Sequence, residues 1–519
     1  VTLFNKFLGI PGSGKTTALI GKLEDFVLKG SSLESMCFVT FSKSAGRDIK
    51  SRVSDKFGID PKQLFYYGTV HSICSKLLGW DLRGGNPKLA LDEDRDDYLS
   101  QYGYTYPTTD ASVELPETSI SDENFTEITD EEKLFALIGW CNNRLVPLEK
   151  WRDIGVMFDY MDPSMVLEIC KGWSEYKQEN DLVDFDDMLL QTVKYNLVPY
   201  ARALFVDELQ DFTPLLYKVF TTWSKDIDEV FVCGDPNQSL YQWAGASSDF
   251  LLNLDADLTI LNRSYRVPFN ILKKAEALIS TVEGSHYTDF YADRQGGQFV
   301  HLISASFDEI MEYTPVKATR RIHDAWRYYQ RSGQKLLDIR DAMVKLQHNE
   351  ILATWEIKQI INCLPSCSRR RPYAYVKYGV KSWLKDQNEK FEWTVKEILD
   401  DLLVKLPKWD DSWILSKMNN LQRDAYIANM QHGYYRLSPD KIRVGTLHSS
   451  KGLGAHVVFV SNSHTKAVDD YIMEGGRSVI DDETRLYFVG ISRSRESCIF
   501  VEDFAEFDNT YVFDMGVQL

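Results

Sequence analysis

No apolar run in the 519 residues approaches the roughly 18 to 20 that a membrane-spanning helix needs, so a span is excluded. Cysteine is sparse: there are eight in all, and Cys37, Cys233 and Cys498 lie inside apolar runs. They read as reduced core thiols of a cytosolic protein, not as a disulfide framework. Cys363 and Cys367 have no second pair nearby, which argues against a zinc or iron–sulfur site. Sixteen prolines and 30 glycines are too few for collagen-like or low-complexity chains. There is no self-similarity at solenoid spacing. The opening VTLFNKFLGIPG has one short apolar patch that runs straight into a Gly-rich loop, so no signal peptide is expected. The chain opens on Val, not Met, and a segment upstream is therefore expected to be missing. What is present is ordinary globular composition, with 44% apolar, 13% aromatic and 26% charged residues, at a length that predicts three or four domains.

Positive charge is in the minority, 59 basic against 76 acidic residues, for a net −17. That sum looks wrong for a nucleic-acid binder, but it is unevenly spread. Residues 91–135 hold 14 acids against 2 basic residues, whereas 311–385 hold 15 basic residues against 6 acids. The second block is basic enough to meet phosphates, although both blocks read equally well as solvated faces.

Short β-branched and aromatic runs bounded by turn residues recur at Met36–Phe41, Ala203–Asp207, Val230–Cys233, Leu258–Leu261, Phe299–Ile303, Ile442–Thr446, Val457–Ser461 and Cys498–Glu502. Runs of this kind suit strands buried on both faces, the mark of parallel α/β sheets. Helical periodicity lies between them, as in Ala18–Leu28, Leu215–Trp223 and Asn270–Ile279. Two intervals, 76–195 and 306–438, are mostly helical in pattern, for example at Glu131–Cys141, Pro163–Asn180 and Tyr328–Asn362, with an acidic Thr/Ser-rich loop near 105–130. The pattern predicts two α/β cores, each interrupted by a helical insertion.

Gly9-Ile-Pro-Gly12-Ser13-Gly14-Lys15-Thr16 fits the eight-residue phosphate-loop pattern, with an apolar strand before it and a helix after it. The glycines let backbone N–H groups turn inward around a β-phosphate, Lys15 neutralises the β/γ oxygens, and the Thr16 hydroxyl suits Mg²⁺. Such a loop needs a carboxylate at the end of a nearby strand. Ala203-Leu-Phe-Val-Asp207-Glu208 supplies it: Asp207 is expected to hold Mg²⁺ and Glu208 to orient and deprotonate the attacking water. These motifs predict an ATPase or GTPase without saying what the energy drives.

The residues that follow carry a resemblance. Asp207-Glu-Leu-Gln-Asp211 and Gly234-Asp-Pro-Asn-Gln238-Ser-Leu-Tyr241-Gln-Trp243-Ala-Gly-Ala246 resemble motifs II and III of the UvrD/Rep/PcrA family of superfamily 1A DNA helicases. Thr40-Phe41-Ser42 looks like motif Ia, Thr69-Val-His71-Ser72 like Ib, and Asn262-Arg-Ser-Tyr265-Arg266 like IV. Thr446-Leu-His448-Ser-Ser-Lys451-Gly452-Leu453 is similar to motif V, and Glu483-Thr-Arg485-Leu-Tyr-Phe-Val-Gly490-Ile-Ser-Arg493-Ser-Arg495 to motif VI; Asp184-Phe-Asp-Asp187 also fits. The matches run in the family's order from about residue 9 to 501.

The resemblance implies two RecA-like parallel-sheet phosphate-loop cores: 1A at 1–75 and 196–256, and 2A at 257–305 and 439–519. Helical insertions 1B and 2B would occupy 76–195 and 306–438. ATP and Mg²⁺ would lie between the cores, held by Gly12, Ser13, Gly14, Lys15, Thr16 and Thr17, with Tyr265 stacked on adenine, Gln238 sensing the γ-phosphate, and Arg266 and Arg493 stabilising the departing phosphoryl group. Taken singly, Arg493 reads as a surface residue and Tyr265 as a core aromatic; the shared motifs reverse both readings. Single-stranded DNA would cross both cores, its bases stacked on Phe41, Tyr241 and Trp243, with His71 and His448 nearby. Alone, these aromatics read equally as a buried cluster. The run Arg369-Arg370-Arg371-Pro-Tyr373-Ala-Tyr375-Val-Lys377-Tyr378, which includes Arg370, is the candidate duplex contact, with a solvated loop as the alternative reading.

Departures from the family pattern are also legible. Gly454 stands where the family has Glu meeting the ribose, Ala244 where motif III has Arg, and Lys43-Ser44 where motif Ia has Asn-Lys. Only eight residues precede Gly9, so the family's adenine-recognising Gln is absent or lay in a removed segment. About 18 residues follow the strand after motif VI, so no nuclease domain is expected there. The expectation is an ATP- and Mg²⁺-dependent helicase moving 3′→5′ on single-stranded DNA, acting at single-strand/duplex junctions. It would be a cytoplasmic monomer, nucleoid-associated or in host cytoplasm if viral, loaded by a replication or repair protein, with no membrane contact. Three alternatives stand beside it: a translocase that mainly displaces proteins, a regulatory ATP-binding module and a small-molecule phosphotransferase. RNA as the track also stays open, because stacking does not read the 2′-OH.

Overall fold

The computed structural model describes residues 2–80, 87–106, 129–154, 161–242, 244–285, 289–305, 352–353, 392–393, 447–461 and 466–504. The chain divides into two compact units, Val1–Ser304 with Lys451–Leu519, and Ala305–Ser450.

In the first unit, β1 (Leu3–Gly9), α1 (Lys15–Leu28), β2 (Met36–Thr40), α2 (Lys43–Phe57), β3 (Tyr67–Thr69) and α3 (Val70–Leu77) alternate. A largely helical stretch follows: β4 (Lys88–Leu89), α4 (Asp92–Ser100), α5 (Asp130–Arg144), α6 (Pro163–Glu179), β5 (Leu182–Val183) and α7 (Phe185–Lys194). Alternation resumes with β6 (Ala203–Val206), α8 (Pro214–Ser224), β7 (Glu229–Gly234), α9 (Asp249–Leu252) and β8 (Asp257–Leu261), then β9 (Arg263–Ser264), α10 (Phe269–Ile279), β10 (Tyr291–Ala292) and β11 (Gln298–Ala305).

Six strands make one sheet in the order β3-β2-β6-β7-β1-β8. Every neighbouring pair is parallel, with Phe7 opposite Cys233 and Phe38 opposite Phe205. All six strands therefore end at the same edge, where the crevice of an open α/β sheet lies.

The period-2 alternation of side chains explains why these runs are apolar throughout. Leu204 and Val206 enter one core with Leu8, Val39, Val230 and Val232, covered by Ile73, Leu189, Phe220 and Trp223. Ala203 and Phe205 enter the opposite one with Phe7, Phe38 and Phe231, covered by Leu19, Leu23, Ile49 and Val53. Phe205 stacks between Phe38 (5.6 Å between centroids) and Phe231 (5.1 Å).

The helical stretch has its own core of Leu99, Leu134, Leu137, Cys141, Ile169 and Trp173. Helix α5 begins with a capping box: Thr129 Oγ1 accepts from the Glu132 amide, and Glu132 accepts from the Thr129 amide. Lys177 on α6 reaches Asp184 (2.5 Å) and Asp187 (2.6 Å) at the start of α7, tying the two helices by a buried cation.

One expectation changes. The run Leu258–Leu261, assigned above to the second core and to burial on both faces, is β8, the edge strand of the first sheet beside β1. Leu258 and Ile260 are 53% and 54% exposed. An edge strand of this length has the composition of a central one, and only pairing distinguishes them. The described break after this sheet comes at Leu261, not at residue 256.

Within the second unit, β12 (Leu352–Ala353) pairs antiparallel with β13 (Glu392–Trp393). The expected helix over Tyr328–Asn362, the strand Ile442–Thr446 and the basic run with Arg370 lie outside the described residues. The first unit closes with β14 (Ala455–Ser461), α11 (Lys466–Ile491, kinked at Gly476) and β15 (Ser494–Phe504), in a sheet ordered β11-β15-β14. Among the described residues, no helix is long and apolar enough to cross a membrane.

Phe205→Ala deletes a ring buried between two others and is expected to cost about 3–5 kcal/mol, read as a lowered urea midpoint of the unfolding transition that reports the tryptophan of α8.

Candidate nucleotide and nucleic-acid site

The loop after β1 turns because Gly12 and Gly14 take φ of 73° and 83°, the left-handed region that glycine enters without strain. Gly14 then caps α1, whose first residue is Lys15. Lys15 donates to the carbonyls of Gly9 (2.8 Å) and Ile10 (3.3 Å) across the loop. Ser13 is buried and its Oγ has no hydrogen-bond partner, an orphaned polar atom within the loop. A loop built this way fits an anion. Thr17, on the first turn, accepts from Arg52 (2.8 Å).

At the end of β6, Asp207 is held on both oxygens. Oδ2 accepts from the Thr16 hydroxyl at 2.7 Å; Oδ1 accepts from the Cys233 thiol (2.9 Å) and the Glu208 amide (3.1 Å). Burial, then the neighbouring Glu208, raises its affinity for a proton. A hydroxyl and a carboxylate side by side are the hard oxygen donors that suit Mg²⁺, which keeps waters and phosphate oxygens as its remaining ligands. Among the described residues no cluster of three or more His, Cys, Asp or Glu could hold an ion, so an ion here would depend on those outside ligands.

Glu208 has φ of 59°, a left-handed conformation that costs a non-glycine residue about 1–2 kcal/mol. The turn points its carboxylate back toward the loops, where it accepts from Gln210 at 2.5 Å. Burial would raise its pKa, but Lys451, Lys15, Gln210 and Arg493 outweigh burial and hold it below the usual range.

Gln210 is fully buried and bridges two motifs, because its Oε1 also accepts from the Asp235 amide (3.1 Å). Asp235 in turn accepts from Gln238 Nε2 (2.5 Å). Gln238 Oε1 accepts from Arg493 Nη2 at 2.6 Å, an arginine 4% exposed that follows α11.

Arg266 lies on the other side of the phosphate loop. The Tyr265 amide donates to the Gly12 carbonyl (2.9 Å), Ser264 Oγ donates to the Pro11 carbonyl (2.7 Å), and a Cβ on Gly12 would stand 2.6 Å from that of Arg266. Burial, then Arg495, pushes the Arg266 pKa down to about 10, and burial and Arg266 lower that of Arg493. Guanidinium groups do not deprotonate in proteins, so they favour negative charge nearby; Glu208 acts on both in that sense, and Asp235 on Arg493. Gly454, at the position where an acid was expected, packs against Arg266 and Arg495. The Tyr265 ring is 58% exposed, open to a stacking partner.

The expected nucleic-acid residues fall in different places. Phe41, just after β2, and Tyr241, after the Gln238 turn, bring their rings to 4.7 Å at the same sheet edge. His71 on α3 packs edge-on against Phe185 (5.8 Å), and burial, then Lys43, pushes its pKa down to about 4. It is neutral near pH 7 and offers phosphate no charge. His448 lies in the turn His448–Ser450 of the second unit. Trp243 and Arg370 lie outside the described residues.

Two residues not singled out above stand at the centre. Lys451 Nζ donates to Asp211 (2.5 Å) and to the Gln238 carbonyl (2.5 Å), and lies 5.7 Å from the Tyr241 ring centroid. Asp211 is 1% exposed, and burial lifts its pKa to about 7 against the pull of Lys451. Both were quoted inside motifs, but neither is marked by residue type as a partner of the other.

A strand, a glycine loop and a helix on a parallel sheet, with a hydroxyl–carboxylate pair at the next strand ends, define a phosphate-loop nucleotide-binding protein of mixed α/β architecture, consistent with a RecA-like core. The family model of the UvrD/REP helicase N-terminal domain matches residues 6–259, and that of the UvrD-like helicase C-terminal domain matches 386–501. The chain belongs to the UvrD/Rep/PcrA-like family of superfamily 1A helicases. It is similar to the ATP-dependent DNA helicase PcrA of Staphylococcus epidermidis, 25% identical over 340 residues that make up 62% of this chain and 43% of the relative. It is also similar to PcrA of Staphylococcus aureus, 24% identical over 344 residues, 63% of this chain and 44% of the relative. The chain thus spans less than half the length of these curated relatives.

Two outcomes follow from the geometry. Gly12→Ala puts a Cβ in a left-handed backbone and against Arg266 and Ser264, and is expected to weaken fluorescent-ATP binding about tenfold or more in a folded protein, by equilibrium titration. His71 protonates near 4 when folded and near about 6.5 when unfolded, so the unfolded chain binds more protons in between and stability rises with pH across that window. In His71→Asn, pH-resolved thermal melting should show a shallower acid limb.

Proposed function

We propose that the chain is the motor of an ATP- and Mg²⁺-dependent DNA helicase or translocase that moves on single-stranded DNA, 3′→5′ by family analogy, and opens duplexes at junctions. The observation that carries this reading is the convergence on one crevice: Arg493 and Lys451, from the last part of the first unit, hydrogen-bond to Gln238 and Asp211 beside the phosphate loop.

In this reading Gly12, Ser13, Gly14, Lys15, Thr16 and Thr17 cradle the phosphates, and Tyr265 lies against the base. Thr16 and Asp207 would hold Mg²⁺, which when bound neutralises charge on the phosphate oxygens. Glu208, kept ionised by the cations around it, orients a water and takes its proton. Gln238 senses the terminal phosphate, and Arg266 and Arg493 stabilise negative charge as it develops. Their own unrelieved burial is then repaid only when the trianionic group is present, which favours a closed crevice with nucleotide.

Phe41 and Tyr241 give a π-platform that accepts any base, worth about 1–3 kcal/mol per base, so a strand is gripped without being read. Lys451 touches the sensor carbonyl and the Tyr241 face at once, so a change at the phosphate alters the grip on the strand. Residues 1–75 and 196–261 would form the first core with 76–195 as its insertion, and the segments from β9 to β11 and from β14 to β15 the second, interrupted by 306–438. A monomer in the cytoplasm, recruited by a replication or repair protein, completes the proposal. The relatives' name, ATP-dependent DNA helicase, supports the choice of DNA.

The test is ATP turnover without polymer and with single-stranded DNA, duplex DNA or RNA, followed by unwinding of duplexes tailed at either end. Single-stranded DNA should stimulate turnover most, and 3′-tailed duplexes should open. Lys15→Ala and Arg493→Ala should each lower kcat by about 10³-fold. Turnover indifferent to every polymer would reject the motor reading, and normal hydrolysis by Lys15→Ala would reject the site.

A further inference from the structure

Helix α5 ends in Asn142-Asn143-Arg144, and all three side chains reach neighbouring elements. Asn142 and Asn143 donate to the two oxygens of Asp186 (3.0 and 3.2 Å), and Thr213, two residues past Asp211, donates to Asn143 Oδ1 (3.2 Å). Arg144 goes further, into the turn that carries Tyr241. Its Nη2 donates to the Gln242 carbonyl at 3.0 Å, and its guanidinium lies over the Trp140 ring at 4.2 Å, one turn back on the same helix.

The alkyl stem of Arg144 lies flat on Gly245, where a Cβ would come within 2.7 Å of Cγ. Gly245 has φ of 94°, and the turn closes on itself through amides of Ala244 and Ala246 that both donate to the Tyr241 carbonyl (3.0 Å). On the helix side, Leu145 takes φ of 56°, a strained left-handed residue directly after Arg144. Strain at that point is the cost of ending the helix where its last guanidinium reaches the turn. Ala244, where the family pattern has an arginine, directly precedes the glycine that Arg144 covers.

We propose that Arg144 is a positioning residue for strand binding: its grip on Gln242 and Gly245 holds the 241–246 turn, and so keeps the Tyr241 ring against Phe41. This rests on the nucleic-acid reading of Tyr241 given above. It makes the helical arm a mechanical support of the stacking platform, acting without its own contact to the strand.

The experiment is a double-mutant cycle on the full chain, with affinity for a fluorescein-labelled oligodeoxythymidylate read by anisotropy at several salt concentrations. Arg144→Ala is expected to weaken binding by about three- to tenfold, the worth of one hydrogen bond held in place. In a Tyr241→Ala background the same change should add less than about twofold, because the ring it positions is gone. The dependence of log Kd on log salt should not change in Arg144→Ala, whereas loss of a phosphate contact would lower its slope by about one.

Additive losses, or a lowered salt slope, would overturn the proposal in favour of a direct or general structural role. Wild-type affinity in Arg144→Ala with weakened Tyr241→Ala would overturn it while leaving the nucleic-acid reading intact. Unchanged binding by Tyr241→Ala would overturn both. If Arg144→Ala melts early, Arg144→Lys, which keeps the stem over Gly245 and loses the planar fork, is carried through the same cycle with the same expected coupling.

Discussion

Charge brought to the end of a buried parallel sheet must be answered by charge from elsewhere, and this constraint shapes the first unit. Six strands terminate at one edge, so the loops bearing Lys15, Phe41, Asp207, Glu208 and Gln238 are neighbours whatever their separation in sequence. Asp207, Asp211 and Asp235 are each at most 4% exposed there. Isolated, such carboxylates would take up protons, and burial does push all three in that direction. Glu208 alone is driven the other way, because Lys451, Lys15 and Arg493 act on it together. Glu208, the base of the proposed reading, is the one the cations favour.

The cations have the mirror-image difficulty. Arg493 is buried and Arg266 half-buried, Arg266 lowers the pKa of Arg493, and their hydrogen bonds go mainly to neutral carbonyl and amide oxygens. Breaking or leaving such groups uncompensated costs several kcal/mol, so the crevice without an anion is poised rather than relaxed. In the proposed reading a polyphosphate would relieve both arginines at once, and opening and closing of the crevice would be tied to the charge of what it holds.

Much of this was legible in the residues. The strands could be found because double-sided burial forces continuous apolar runs, and the phosphate loop because only glycine permits its backbone. Asp207 and Glu208 could be found because an apolar strand ending in two acids beside such a loop has few other uses. What was not legible depends on pairing in space. Leu258–Leu261 has the composition of a central strand and is an edge one. Lys451 meets Asp211 across 240 positions, and no spacing rule connects them. His71 could be placed near the expected strand path by motif, but not its surroundings, Phe185 and Lys43, which keep it neutral. Arg144 belongs to a helix whose periodicity speaks only of its own core.

The departures from family pattern acquire a physical meaning from these same neighbours. At Gly454 an acid is absent, and the backbone lies against Arg266 and Arg495; at Ala244 an arginine is absent, and Arg144 covers the next residue. At Gly454 a small residue leaves room for arginines delivered by other elements, and Gly245, next to Ala244, leaves room for the stem of Arg144. A hydrogen bond to a carbonyl does not depend on which segment supplies the donor, only on where the donor stands. A helix end fixed at Asp186 and Thr213 holds its guanidinium more firmly than a turn residue with a free side chain, since less rotamer entropy remains to be lost. A guanidinium on α5 that bonds the Gln242 carbonyl therefore links the turn to the helical arm, which a residue within the turn itself could not do.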